Sequence, residues 1–188
     1  MAPMSDQSDL QIREERQDDQ EQIRRVQTAA FADADLGGLV DALREASPAA
    51  EQLSLVAVDG ERVIGHVMFT PSLLDAPARL VQVKVLSPVG VLPERQRQGV
   101  GSALISRGLD LMNARGAPMV FLEGAPRYYR RFGFVAGAEL GFRKPSLRIP
   151  DEAFQVRVLD AYEPWMTGTL VYAQIWWDLD FVGLRPPS

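Results

Sequence analysis

At 188 residues, with 46% hydrophobic and 24% charged side chains, the chain has the length and composition of one globular domain with a buried core, not of a disordered polymer. It contains no cysteine, which excludes disulfides, thiolate metal centres and cysteine nucleophiles and agrees with a cytoplasmic protein. The net charge is −5, and the basic residues are scattered outside Arg95/Arg97 and Arg127/Arg130/Arg131, so no nucleic acid partner is expected. No apolar run approaches the ~20 residues that span a bilayer, no signal-peptide pattern opens the chain, and no metal-ligand cluster is visible, so neither membrane nor metal is expected.

Residues 1–9 are small and polar and are read as a flexible tail ahead of a single domain over 10–188. Leu10 to Arg13 reads as a short strand. Asp18 or Asp19 can cap a helix through Ala30, with Ile23, Val26, Ala30 and Phe31 near helical spacing, and Leu36, Leu39, Val40 and Leu43 mark a second helix ending before Ser47-Pro48. Gln52 to Val58 and Arg62 to Phe69 flank Asp59-Gly60, a hairpin turn signal, and predict an antiparallel pair.

Leu80 to Val91 is the next strand. Pro88 cannot donate to a ladder and Gly90 lacks a packing side chain, so this strand should be bulged or unpaired near its C-terminal end. A helix follows Gly99, with Val100, Leu104, Ile105, Leu111 and Met112 on one face and Gly116 and Pro118 as stops. Met119 to Leu122 reads as a buried strand, Pro126 to Phe132 as a short helix and Phe134-Val135 as the start of another strand. After a loop-rich stretch, Phe154 to Leu159 and Leu170 to Trp177 are expected to form a terminal β pair, giving C-terminal strands over about 153–180. The order implies an α+β, three-layer fold with a mixed, mostly antiparallel central sheet and helices on both faces.

The informative stretch is Val89-Gly90-Val91-Leu92-Pro93-Glu94-Arg95-Gln96-Arg97-Gln98-Gly99-Val100-Gly101-Ser102. A strand passes through a glycine-bearing loop into a helix N-terminus, where unpaired amides and a dipole equivalent to roughly half a positive charge favour an anionic phosphate. By itself such a loop is as readily a plain helix cap. A dinucleotide fingerprint would need glycine where Leu104 stands, and a P-loop would need Gly-Lys-Ser/Thr, so both are excluded.

The spacing Gln96-x-x-Gly99-x-Gly101 resembles the acetyl-CoA pyrophosphate signature of GNAT acetyltransferases. Downstream, Tyr129-Arg130-Arg131-Phe132-Gly133-Phe134 resembles the family's Tyr-x-x-x-Gly-Phe element. The spelling from Ser87 to Ile105 and from Tyr128 to Phe134, with Ile149 to Phe154 and Gly168 to Tyr172, is similar to a poorly characterised bacterial branch of predicted acetyltransferases. The resemblance implies a GNAT-like fold and an acetyl-CoA-dependent N-acetyltransferase. The resemblance also implies a CoA-binding core over about 80–135 and direct attack by a small-molecule or peptide amine in a ternary complex. It further implies that Val89, Val91, Gln96, Arg97, Gln98, Gly99, Val100, Gly101 and Ser102 bind the cosubstrate, with amides near Val89 and Val91 holding the pantetheine arm, and that Tyr129 is the general acid for the leaving thiolate. The chain departs from the family where many members carry an asparagine ahead of the tyrosine helix and this one has Gly124-Ala125-Pro126.

Acetyl transfer requires a neutral amine, so a base must help remove a proton. Glu123, at the end of an apolar strand, is a candidate base, and equally a cap for the helix beginning at Pro126. His66, the only histidine, reads as a hydrogen-bonded sheet residue ahead of a catalyst. Arg95 and Arg97 are either phosphate contacts or solvated. Trp165, Trp176 and Trp177 default to core packing, with an acceptor wall or a homodimer contact as alternatives; strand alternation would turn one of Trp176 and Trp177 inward and the other outward. By resemblance to the family, whose amine pocket is built from variable segments, the acceptor pocket is expected from residues 31–50 and 137–170. A non-catalytic acyl-CoA-binding or regulatory domain is the alternative function, and an interaction module without CoA binding a third.

Overall fold

The computed structural model describes residues 10–31 and 34–183; the expected tail over 1–9 lies outside them. Among the described residues nine strands form one sheet in the order β1-β2-β3-β4-β5-β8-β6, with β9 alongside β3 and β7 alongside β9. The strands are β1 (Leu10–Glu14), β2 (Leu53–Asp59), β3 (Arg62–Asp75), β4 (Leu80–Val91), β5 (Met119–Glu123), β6 (Val135–Ala136), β7 (Phe142–Arg143), β8 (Phe154–Val158) and β9 (Gly168–Val171). The helices are α1 (Gln20–Ala30), α2 (Leu36–Ala46), α3 (Val100–Ala114), α4 (Pro126–Tyr129) and α5 (Gln174–Asp178). Every pairing is antiparallel except β4 with β5 and β7 with β9, the mixed, mostly antiparallel sheet that the element order implies.

Side-chain alternation along β3 assigns the faces. A Cβ on Gly65 would press on Val100 and Leu104 of α3, and Phe69 packs where Gly108 of α3 leaves room. His66, one residue on from Gly65, instead meets Gln27 of α1. Thus α3 covers one face and α1 with α2 the other. The buried face of α3 carries Val100, Leu104, Ile105, Leu109 and Met112, while Leu111, expected on it, is only half-buried. In α1 the buried residues are Ile23, Val26 and Gln27, and Phe31 is exposed. Asp19 does not cap α1 with its side chain; its carboxylate instead accepts from Arg16 N, at the start of the 3-10 turn that Asp19 itself ends, and pairs with Arg13 of β1.

The long β3 explains how the C-terminus joins the sheet. Its first half pairs with β2 as far as Phe69, and on the side that β2 vacates, β9 pairs with Leu73 to Asp75. The expected terminal β pair is therefore corrected: β8 pairs with β5 and β6, β9 with β3 and β7, and residues 174–178 are helical rather than extended. Trp176 is buried and Trp177 is 37% exposed, so one of the two turns inward, but on a helix and not by strand alternation.

Candidate active site

β4 lies against β3 along its length, but its register shifts between Leu86 and Val89, at Ser87-Pro88. On its other edge only Lys84 and Val85 pair with β5, against Val120 and Phe121. Beyond them the two strands part. β4 is thus bulged toward β3 at Pro88, which has no N–H to offer, and unpaired toward β5, as expected for its C-terminal end. Val89 to Val91 still pair with β3, and Gly90 makes room for α1, since a Cβ there would lie 2.5 Å from Gln27 Oε1. Counting on from Val85 and Phe121 sets Ser87 across this fork from Glu123.

On the α3 side, a cleft of about 560 Å³ is lined by Val91, Gln96, Arg97, Gly99, Gly101 and Ser102, and also by Arg95, Tyr128 and Arg131. Gly99 at φ +85° begins α3, and Arg97 is also left-handed at φ +59°; such turns gather successive N–H groups into an anion-binding concavity. A Cβ at Gly99 would meet nothing, and one at Gly101 would face the Tyr128 hydroxyl at 3.1 Å, so both glycines leave their backbone open to a ligand. Val89, Gln98 and Val100 do not line this cleft: Val100 points into the core, and Gln98 folds back to donate to the Glu94 carbonyl. Gln96 donates to the Val91 carbonyl at 3.1 Å and so ties the loop to the strand end. Arg95 is held by Asp59 at 2.6 Å. Arg131 lies 4.6 Å over the Tyr128 ring. Sequence reasoning missed Tyr128 and Arg131 here; their signal was the basic cluster next to a tyrosine pair.

The adjacent tyrosines diverge. Tyr128 reaches the glycine loop, while Tyr129 packs edge-on against Phe134 at 5.9 Å and lies over Gly124, whose Cβ would strike its ring at 2.4 Å. The missing side chain in Gly124-Ala125-Pro126 is thus what lets the Tyr129 ring settle beside the end of β5. Burial, reinforced by Tyr128, pushes the Tyr129 hydroxyl up to about 12.

Glu123 faces the α1/α2 side, the opposite side of the fork. It does not cap α4, whose N-terminus at Ala125 receives no side-chain bond. Instead Tyr172 Oη donates to its Oε1 at 2.9 Å and Gly183 N donates to its Oε2 at 3.1 Å. Burial raises the Glu123 pKa, against the lowering effect of these two donors and of Arg148. A cavity of about 170 Å³ beside it is lined by Val85, Ser87, Tyr172, Trp176 and Phe181. Of these, Tyr172, Trp176 and Phe181 follow the segment in which the acceptor pocket was expected, and nothing short of the β3–β9 pairing brings them here.

His66 is fully buried, with Nδ1 2.8 Å from Gln27 Nε2 and Nε2 2.8 Å from Ser54 Oγ. Desolvation, with Arg44 nearby, lowers its pKa to about 3, so it stays neutral within a polar network. Among the described residues no cluster of potential metal ligands occurs and no helix is long and apolar enough to cross a membrane.

Residues 11–137 match the family model described as an acetyltransferase (GNAT) domain. The chain belongs to this family. It is 35% identical over 135 residues, 71% of its own length and 74% of the relative's, to the uncharacterized N-acetyltransferase YjhQ of Escherichia coli. Its fold superposes on that of the GNAT family N-acetyltransferase YhbS from Escherichia coli in complex with CoA, with a TM-score of 0.78, 32% identity and coverage of 89% of this chain and 91% of that one. A GNAT family acetyltransferase from Brucella melitensis in complex with acetyl-CoA gives a TM-score of 0.72 at 35% identity over 90% and 99% of the two chains. The chain is accordingly an acyltransferase.

Proposed function

We propose that this GNAT enzyme transfers the acetyl group of acetyl-CoA directly to an amine, with the cosubstrate entering on the α3 face and the acceptor on the α1/α2 face. The observation that carries this reading is the fork between β4 and β5, with Tyr129 on one side of the sheet and Glu123 on the other. The glycine loop would hold the diphosphate through amides around Gly99 and Gly101, with Gln96, Arg97 and Ser102 around it. From Val91 back to Val85 is six residues of strand, ~20 Å, a distance that the slender pantetheine arm of coenzyme A is built to cover. Amides of β4 freed near Val89 and Val91 would bind that arm and polarise the thioester carbonyl.

Glu123 takes a proton from the bound ammonium and passes it to solvent, leaving a neutral nitrogen to attack the acetyl carbon. As the C–S bond breaks, Tyr129 supplies a hydrogen bond and its proton to the sulfur, and the remaining surplus proton on nitrogen restores the phenol. The products are the N-substituted acetamide and free CoA thiol. With its hydroxyl at about 12 and an ordinary thiol near ~8.5, transfer from the phenol runs uphill even onto the free thiolate. Tyr129 therefore acts first as a hydrogen-bond donor to sulfur as charge develops there, and gives up its proton only as the surplus proton on nitrogen replaces it.

The test is to incubate the protein with acetyl-CoA and a panel of amines, following free thiol and the mass of the acetylated product. An amine-dependent thiol signal with a +42 Da product (the mass of an added acetyl group less one hydrogen) is expected. CoA binding without amine-dependent thiol release would make the chain a non-catalytic acyl-CoA-binding domain.

A further inference from the structure

Building on the acetyl-transfer reading, we propose that Ser87 is a further catalytic residue. Its hydroxyl and the Glu123 carboxylate hold the two N–H groups of a primary amine across the fork between β4 and β5, and so aim the nitrogen lone pair at the acetyl carbon. The placement comes from the sheet. Val85 and Phe121 are the last partners between β4 and β5, so Ser87 and Glu123, two residues on, share a face and stand on opposite sides of the opening. Both line the same cavity of about 170 Å³, which at about 30 Å³ per water-sized group is space for only five or six groups. An amine head lodged there is within reach of both.

Ser87 has a polar group to spare. It is half-buried, and its hydroxyl makes no hydrogen bond among the described residues. The rest of the wall offers less: Tyr172 gives its hydroxyl proton to Glu123, Trp176 Nε1 is sealed off, and Val85 and Phe181 are apolar. The hydroxyls of Thr70 and Ser72, on the same face of β3, are sealed in as well. A serine oxygen at the edge of an opening, with two lone pairs and no donor, is a ready acceptor for N–H. Each oxygen of Glu123 is held once, by Tyr172 or by Gly183 N, and keeps a lone pair for the amine.

The stereochemistry follows. A neutral primary amine has two N–H bonds, one carbon and one lone pair in a tetrahedral array. With one N–H on the β4 side and the other on the β5 side, the carbon points away from the sheet and the lone pair points through the fork, toward the face where Tyr129 lies. Attack on the thioester needs that orientation, and fixing it raises turnover without adding affinity for the cosubstrate. A secondary amine, once neutral, has a single N–H. It must leave Ser87 or Glu123 unbonded and press its second carbon against that wall.

The experiment measures kcat and KM for ethylamine, glycinamide and a lysine-containing peptide, each beside its N-methyl derivative, in the wild type, Ser87→Ala and Ser87→Thr. In the wild type the primary amines should exceed their N-methyl derivatives by about tenfold or more in kcat/KM. Ser87→Ala should lower kcat for the primary amines by about five- to tenfold and leave the acetyl-CoA KM within about twofold. It should also shrink the primary-to-N-methyl ratio by at least the same factor, because alanine removes the acceptor and makes room for the methyl group. Ser87→Thr keeps the hydroxyl and should keep the wild-type ratio, with melting temperatures checking the fold of both variants. N-methyl amines turned over as well as primary ones by the wild type, an equal loss on both classes in Ser87→Ala, or an unchanged ratio in that variant would overturn the Ser87 assignment alone. Absence of product from every amine, primary or N-methyl, would instead overturn the acetyl-transfer reading on which it rests.

Discussion

The two halves of the site are built by opposite means. The proposed cosubstrate side is drawn from a single stretch of chain, Val91 to Ser102, with Tyr128 and Arg131 leaning in from α4 and the turn after it. The groups it offers a ligand would be largely backbone, and its shape follows from two left-handed residues and a helix start. The proposed acceptor side gathers Val85, Ser87, Glu123, Tyr172, Trp176 and Phe181, from two strands and the C-terminal segment, separated by nearly the whole second half of the chain. One half works through local geometry and presents amides; the other works through long-range pairing and presents a carboxylate among aromatic rings. A loop of the first kind can stay constant while its partner half is rebuilt for a different amine, and substitutions in the two should fail in different observables.

The largest effect is expected at the junction. Tyr129→Phe keeps the ring that lies over Gly124 and against Phe134 but removes the proton for sulfur. Turnover should fall on the order of 10²-fold or more, with the CoA dissociation constant within about twofold. Stopped-flow thiol release and calorimetric titration of CoA measure the two separately. Undiminished turnover would mean that the thiolate leaves to water.

On the acceptor side the signature is pH. A base must be ionised to work, and burial raises Glu123, so wild-type kcat/KM should fall as pH drops through a value above the ordinary carboxylate range. Glu123→Gln should lose that acidic limb and about 10²-fold of rate at neutral pH. Tyr172 donates to the Glu123 carboxylate and lowers its pKa; Tyr172→Phe should therefore move the limb to higher pH, a shift that a purely structural role would not produce. A limb that stays in place in Tyr172→Phe would detach the base assignment from Glu123.

Which parts could be seen in the sequence follows the same division. The glycine loop, the parting of β4 near Pro88 and the succession of elements through α4 could be read because each depends on residues within a turn or two of one another. Trp176 and Trp177 could not: their apolar pattern fits a strand or a helix, and the choice is made by β9 docking in the space beside β3 that β2 leaves after Phe69. Glu123 was ambiguous for a related reason. Its neighbours in sequence suggested a cap, while its partners, Tyr172 and Gly183, arrive from about fifty and sixty residues away. Even within the loop, residue spacing did not separate Gln98 and Val100 from the residues that line the cleft.

The cosubstrate side is sharpened by choosing the right glycine. At φ +85° Gly99 would be strained by any side chain, so Gly99→Val mixes lost binding with lost folding. Gly101 sits in the first turn of α3, and Gly101→Val should weaken CoA binding at least about tenfold by filling the cleft while the melting temperature holds within a few degrees. Retained affinity in a folded Gly101→Val protein would move the diphosphate elsewhere.

The smallest predicted effect best separates the two tyrosines. Tyr128 holds its ring between the Arg131 guanidinium at 4.6 Å and the edge of Tyr129 at 5.0 Å, so Tyr128→Phe preserves the packing and deletes only a hydroxyl that points at Gly101. If that hydroxyl donates to the cosubstrate diphosphate, its loss should cost one hydrogen bond, about two- to tenfold in CoA affinity, with turnover at saturating acetyl-CoA unaffected and the pH profile in place. Tyr129→Phe should do the reverse. Consecutive helical residues project about 100° apart, and here one projects toward the phosphate loop and the other toward the end of β5, so a KM effect and a kcat effect from neighbouring phenols would map the length of the bound cosubstrate onto the helix. Exchange of the two phenotypes would show that the sulfur lies over Gly101 and that the cosubstrate runs in the opposite direction along β4.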